Sequence, residues 1–292
     1  MLQLDRSETR HRPAEAQRVY VYGIIREEEG GERPNVPPLE GLAGNPIRIV
    51  ANDGLAAIVS MLEPRAAGAP FEEDLKDPER AKSLILDHHR VLRQIIDDRT
   101  VLPTRFGALF ADDRKVVDAL NEHRHGLFEA LERVQGAREW GVKIFSDRSV
   151  LCRHLGEESP AMRAAQRELA GATEGRAFFL RRRIAQLSEE EAGRAIAQTV
   201  EASRRSLCDV ARADAAMKLQ PAGVHGRADE MVWNGALLVA KAADARFFAL
   251  IGELLQVHAP RGFHYETNGP WPPFNFADCR LGVRENGCSN GA

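Results

Sequence analysis

Cysteine is scarce in this sequence of 292 residues, and its four copies stand far apart, at Cys152, Cys208, Cys279 and Cys288. None of them forms a C-x-x-C pair, so the spacing of a zinc site or of a redox motif is missing. Nothing in the pattern indicates the disulfide framework that an oxidising compartment favours. We therefore expect buried or idle thiols, no metal site and a cytoplasmic location.

An excess of positive charge and long apolar runs are also missing. The 40 Lys and Arg residues against 43 Asp and Glu residues leave a net charge of −3, which disfavours nucleic acid as a partner. No apolar run reaches the roughly 18 residues that a membrane-spanning helix needs, so no membrane partner is expected. The charged segment 1–17 lacks the apolar core of a secretory signal and is expected to be a disordered arm.

The motifs that mark common enzyme classes are absent as well. The sequence has no G-x-x-x-x-G-K-[ST], no G-x-G-x-x-G after a strand, no G-x-S-x-G and no H-E-x-x-H. Acidic residues are plentiful but dispersed along helices, with no pair singled out for acid–base work. These absences predict a protein that is not an enzyme and needs no cofactor.

What is present is the composition of a globular protein, with 43% hydrophobic and 28% charged residues. Because a single core becomes unusual above roughly 250 residues, we expect two domains. Changes in pattern place an N-terminal α+β domain at 18–138, a second domain at 139–278 and a C-terminal tail at 279–292.

The N-terminal domain is predicted to hold a small sheet with helices. Its strands are the apolar runs Val19–Ile25, Ile47–Val50 and Leu55–Val59, and Asn52-Asp53-Gly54 is a hairpin signal between the last two. Apolar residues at helical spacing follow Pro78, with Asp77 as the N-cap, and a second helix is expected between Asp112 or Asp113 and Gly136.

The second domain alternates strands and helices in the order β, helices, β, β, α, β. Strands are expected at Trp140–Phe145, 213–219, Met231–Val239 and Phe263–Thr267. A helical stretch over 160–210 is expected to break near 171–175, and Asp244 is a candidate cap for the last helix. This order predicts a ferredoxin-like, split βαβ sheet with added long helices, so the fold class is α+β.

His88 lies within the apolar stripe of the first helix, near Leu84, Val91 and Leu92. It could be a base or a metal ligand, but a metal needs three or four convergent ligands. We favour a partly buried histidine that is hydrogen-bonded to a loop.

Arg105 stands among apolar residues in a short link between two helices, Val101-Leu102-Pro103-Thr104-Arg105-Phe106-Gly107. Its planar guanidinium could hold carbonyl groups or a carboxylate, or it could bind an anionic ligand. No glycine-rich phosphate cradle or second basic group accompanies it, so a structural role is favoured.

The segment Gly269-Pro270-Trp271-Pro272-Pro273-Phe274-Asn275-Phe276 is rich in proline and aromatic residues. Pro270, Pro272 and Pro273 fix φ and remove three backbone donors, so the segment is expected to be stiff and extended rather than helix or central strand. Trp271, Phe274 and Phe276 would then be displayed along it. They could pack on their own domain or bind a partner, and both alternatives stay open.

These segments and their order resemble the gas vesicle protein L/F family (GvpL/GvpF). The Gly-Pro-Trp-Pro-Pro segment is the most specific element, and the Leu-Pro-x-Arg-Phe-Gly segment is next. The resemblance covers roughly Arg18 to Phe276, and Phe274 and Ala108 depart from it where tyrosine and threonine are common. The matching segments are Val19–Ile24, His88 with Val91 and Leu92, Val101–Gly107, Val142–Ile144, Asn234–Val239 and Thr267–Phe276.

The resemblance implies an accessory protein for gas vesicle assembly, acting as a chaperone or nucleation factor without known catalysis. Its implied partners are the hydrophobic shell protein and other gas vesicle accessory proteins. Two alternatives remain: a minor structural component retained in the gas vesicle, and an enzyme that acts on an anionic substrate through His88 and Arg105.

Overall fold

The computed structural model of the protein describes residues 17–27, 39–63 and 71–277. Helices and antiparallel sheets confirm the predicted α+β class. The described residues form two compact units, one ending at Arg133 and one running Val134–Ala277. The arm predicted at 1–17, apart from Gln17, and the tail predicted at 279–292 lie outside the described residues. No helix in the described ranges is long and apolar enough to cross a membrane.

The first unit is an antiparallel sheet with helices packed on it. Among the described residues the strand order is β2-β3-β1-β4, and β5 also pairs with β1. The elements are β1 Arg18–Arg26, β2 Ile47–Asn52, β3 Leu55–Leu62, α1 Phe71–Asp74, α2 Pro78–Ile96, β4 Leu102–Pro103, β5 Leu109–Phe110, α3 Asp113–Glu122 and α4 Arg124–Val134.

Local chemistry explains why these elements begin and turn where they do. Asp53 and Gly54 both have positive φ, 52° and 82°, which is the backbone that a tight hairpin between β2 and β3 requires. The Asp77 side chain accepts hydrogen bonds from the Glu79 and Arg80 N–H groups, so α2 begins with the predicted cap. Strand β1 is an unbroken apolar run because both of its faces are buried.

The prediction of a single second helix for this unit is wrong. The segment forms two helices, α3 and α4, because His123 leaves the helical region with φ −103° and ψ 11°. The apolar stripe predicted for one long helix is therefore carried by two short ones, with Val116 and Leu120 buried on α3 and Leu127 and Leu131 on α4.

The second unit has the sheet order β7-β8-β6-β9, and all neighbours are antiparallel. The last strand lies beside the first, which is the order of the predicted split βαβ sheet. The elements are β6 Ala137–Ser146, α5 Arg148–Glu158, α6 Pro160–Ala170, α7 Glu174–Cys208, β7 Ala213–Ala216, α8 Ala222–His225, β8 Glu230–Ala240, α9 Asp244–His258 and β9 Phe263–Trp271.

The core of the second unit lies between the sheet and helices α5, α7 and α9. The predicted interruption near 171–175 is confirmed, since α6 ends at Ala170 and α7 begins at Glu174. The capping role predicted for Asp244 is wrong: its carboxylate makes no cap and instead accepts a hydrogen bond of 3.0 Å from the Trp140 indole. The buried core residues include Val142, Ile144, Leu151, Leu207, Leu237, Phe247 and Phe263.

Candidate functional site

The segment that carries Arg105 closes the open side of β1. Leu102 and Pro103 pair with Ile24 and Gly23. The buried Thr104 follows them: its N–H donates to Tyr22 O at 2.9 Å, and its Oγ1 lies 2.7 Å from Val21 O. These bonds satisfy backbone carbonyls at the irregularity in β1, so the segment serves the sheet itself.

His88 joins α2 to this sheet. It is 1% exposed, and its Nδ1 lies 2.9 Å from the Tyr20 hydroxyl. Burial, and to a lesser degree the neighbouring His89, lower the pKa of His88 to about 4, while a hydrogen bond with the Thr104 backbone opposes this shift. The imidazole is therefore neutral near pH 7 and is more deeply buried than expected. It bonds to a strand tyrosine as well as to the backbone of Thr104 in the linking segment.

Arg105 does not take the structural role predicted for it. Its side chain is exposed, because Thr104 beside it takes the inward position, and it makes no hydrogen bond or ion pair within the part of the chain that the structure describes. No hydrogen bond or ion pair joins the side chains of His88 and Arg105 among the described residues. The two groups of the enzyme alternative therefore do not form a common site in the described residues.

The proline-rich segment begins as an edge strand and then turns. Trp271 ends β9, paired with Glu139 at the edge of the sheet. The Phe274 N–H then donates to Pro272 O at 2.7 Å, and the Phe276 N–H donates to Pro273 O at 3.1 Å. The expectation of a fully extended segment is thus wrong beyond Trp271, because carbonyls of the prolines accept turn hydrogen bonds.

Burial separates the aromatic residues of this segment. Phe276 is 8% exposed, so it packs within its own unit and is not displayed. Trp271 and Phe274 are half-buried, and the Trp271 indole donates to Asn268 Oδ1 at 2.6 Å. Pro270 lies within edge strand β9, and Pro272 and Pro273 are buried. Part of the segment is structural, while Trp271 and Phe274 each keep part of their surface exposed.

Glu139 holds the turn to the sheet, and sequence reasoning missed it. Its side chain accepts hydrogen bonds from the Asn275 N–H at 2.9 Å and from Asn275 Nδ2 at 2.6 Å. Glu139 is only 5% exposed, and this burial raises the pKa of its carboxyl group while the two Asn275 bonds oppose the rise. The available signal was a carboxylate directly before the predicted strand Trp140–Phe145, but its partner is 136 residues away.

Replacing Glu139 by glutamine is expected to destabilise the second unit by about 1–3 kcal/mol. The backbone N–H and the side-chain Nδ2 of Asn275 are both donors. In the variant, the glutamine oxygen can accept from only one of them, and the glutamine Nε2, which is itself a donor, would lie against the other. We expect a lower melting temperature and faster amide exchange at Asn275.

A double substitution tests the pairing itself. In Glu139→Gln with Asn275→Asp, the glutamine oxygen can accept from the residue 275 N–H while its Nε2 donates to the new carboxylate. The double variant should therefore recover part of the loss, giving a positive coupling in the cycle. Strictly additive losses would show that the two side chains are not partners in solution.

Two further polar clusters support the second unit. Arg227 binds Asp229 and Glu266 at 2.6 Å each and lies over the Phe145 ring. The Tyr265 hydroxyl lies 2.6 Å from both Ser203 Oγ and His258 Nδ1. Each cluster is satisfied internally, and no group of three potential metal ligands occurs among the described residues.

Comparison with known protein families and relatives shows which proteins this chain is similar to. A model of the family described as "Gas vesicle synthesis protein GvpL/GvpF" matches residues 18–278. Gas vesicle protein F of Streptomyces sp. (strain CB03234) is 30% identical over 267 residues, covering 89% of this chain and 99% of that protein. Gas vesicle protein L of the same organism is 27% identical over 264 residues, covering 88% of this chain and 92% of that protein.

The fold has solved counterparts. The crystal structure of the gas vesicle protein GvpF from Anabaena sp. PCC7120 matches with a TM-score of 0.66 at 19% identity, covering 90% of this chain and 99% of that chain. At this identity the likeness shows the fold alone. The family match extends over nearly the whole described chain and includes the segments around His88, Arg105 and Trp271. This chain belongs to the GvpL/GvpF family of gas vesicle proteins.

Proposed function

We propose that the protein is an assembly factor for gas vesicles, which binds the hydrophobic shell protein and other gas vesicle proteins as a chaperone or nucleation factor. The observation that carries the proposal is the match of residues 18–278 to the gas vesicle family. The protein acts by binding and not by catalysis, in the cytoplasm and in association with the gas vesicle.

The physical need for such a factor follows from the shell. Large exposed apolar patches drive association of unassembled subunits. A partner that covers such a patch and then releases it at a growing edge keeps the subunit soluble. Apolar burial of about 25 cal/mol per Å² provides reversible holding over a few hundred Å².

The exposed parts of Trp271 and Phe274 are the proposed contact. Trp271 ends the edge strand β9, and Phe274 lies in the turn that Glu139 and Asn275 hold in place. A rigid support limits the entropy that the aromatic side chains lose on binding. Phe276 is buried, so its role is to support the turn rather than to touch a partner.

Pull-down of the shell protein tests this contact. Trp271→Ala and Phe274→Ala should each reduce the recovered shell protein severalfold, because each removes a partly exposed aromatic anchor. Phe178→Ala is the matched control, since it removes a ring that is 63% exposed elsewhere in the same unit. Undiminished recovery by both variants, with circular dichroism showing that they are folded, would reject this segment as the contact.

Fractionation of intact vesicles separates the assembly role from that of a retained component. An assembly factor is expected in the soluble fraction after mild detergent washing. Protein that stays with washed vesicles in a fixed ratio to the shell protein would favour the structural alternative.

A further inference from the structure

Helix α7 has one face that covers the second unit and an opposite face that nothing covers in the described chain. Ala177, Leu180, Ala192 and Ala195 are buried on the inner face. Exposed residues follow one another three and four positions apart on the outer face, so they form one line along the helix. We call this line the outer stripe, and its residues are Phe179, Arg182, Gln186, Glu190 and Gly193.

The charges of the outer stripe are divided into a basic half and an acidic half. Arg182 and its neighbour Arg183 are exposed and make no hydrogen bond or ion pair with the described residues. Glu190 accepts a hydrogen bond of 2.9 Å from Gln186, and Glu189 pairs with Arg148 at 2.7 Å while remaining 63% exposed. The basic half therefore lacks a partner of opposite charge.

We propose that the outer stripe is a self-association surface, on which a second copy of this chain docks with its own α7 antiparallel. Arg182 and Glu190 each lie four positions from Gln186, and Arg183 and Glu189 each lie three. A two-fold axis at Gln186 therefore places Arg182 against Glu190 of the partner subunit. The same axis makes this contact twice, as an isologous interface requires.

Shape follows the same symmetry. Phe179 and Gly193 each lie seven positions from Gln186, so the axis sets the Phe179 ring over Gly193 of the partner subunit. The ring is 70% exposed, and a Cβ added at Gly193 would meet nothing within 4 Å. The missing side chain leaves room for the ring, and the contact buries apolar area at both ends of the stripe.

A second copy of this chain fits the outer stripe better than a purely anionic partner does. An acidic peptide or an anionic lipid surface would match Arg182 and Arg183 but would meet Glu189 and Glu190 along the same line. Like charges facing each other at an interface are strongly unfavourable. Only a partner with the reversed order of charge matches both halves, and an antiparallel copy has that order.

The contact is short, so the association is weak. The 15 residues from Phe179 to Gly193 are separated by 14 helical rises, which span about 21 Å of helix. An interface of this length is at the low end of specific interfaces, and most of its attraction is between exposed charges. We expect dimers in the micromolar range that dissociate as salt is added.

Sedimentation velocity of the full chain over a concentration series tests the proposal. Wild type should form dimers at low salt and monomers at high salt. Arg182→Glu and Glu190→Arg should each weaken dimerisation by about tenfold or more, because each places like charges together twice. The double variant R182E/E190R, and an equimolar mixture of the two single variants, should both restore association because opposite charges face each other again.

Arg181→Glu is the matched control. Arg181 is exposed, and its replacement by glutamate changes the net charge as much as Arg182→Glu does. It lies 100° round the helix from Arg182 and outside the outer stripe. It should dimerise like wild type. A wild type that stays monomeric at low salt, single reversals without effect, a mixture that fails to associate, or equal weakening by Arg181→Glu would each overturn the proposal.

Discussion

Replacing Gly23 by alanine is expected to lower the free energy of unfolding of the first unit by about 3 kcal/mol or more. A Cβ at this position would lie 2.7 Å from Val101 Cγ2 and 2.8 Å from the Leu102 carbonyl oxygen. The carbonyl belongs to β4, which pairs with β1 at this residue, so it cannot move without breaking the pairing. Amide hydrogen exchange of β1 in urea would measure the loss.

Gly126→Ala is the matched control for this prediction. Gly126 lies in α4, and a Cβ there would meet nothing within 4 Å. Because alanine is the better helix former, the same methyl group should stabilise by up to about 1 kcal/mol. Equal protection of β1 in Gly23→Ala and wild type would show that β4 does not lie where the structure has it.

Acidification from pH 7 to pH 4 is expected to remove roughly 3 kcal/mol from the first unit through His88 alone. Burial lowers the pKa of this imidazole from 6.5 to about 4. Since the unfolded chain binds the proton more readily, the contribution is fully present above pH 6.5 and is lost as the pH falls towards 4. Below that value the folded imidazole also binds the proton and the loss levels off.

Measuring the free energy of unfolding at several pH values isolates this contribution. His88→Gln should be less stable than wild type at pH 7 but should lose less stability on acidification, because the titrating group is gone. Gly126→Ala, which changes no titratable group, should retain the wild-type slope. Parallel pH profiles of His88→Gln and wild type would contradict the assigned burial of His88.

Local signals in the sequence predicted much of the fold. The apolar run of β1, the Asn52-Asp53-Gly54 hairpin and the Asp77 cap each depend on neighbouring residues, so they could be read from short windows. Strands β4 and β5 were missed because each has two residues, which is too short to show the alternating pattern of a β-strand. Their pairing with β1 depends on contacts between residues that are far apart in the sequence, and a short sequence window does not include both partners.

The candidate site was predictable in identity but not in geometry. The proline-rich segment and His88 stand out by composition and position. That Phe276 turns inward, that Arg105 faces solvent and that Glu139 binds Asn275 follow from packing between distant segments. Residue type sets what a side chain can bond to, but only the fold decides which partner it meets.

The placement of the tryptophans makes the two units spectroscopically distinct. All three of them, Trp140, Trp233 and Trp271, lie in the second unit. Intrinsic indole emission therefore reports on that unit alone. Trp271 lies at the proposed shell contact, so added shell protein should shift this emission without any label, and events confined to the first unit should leave it unchanged.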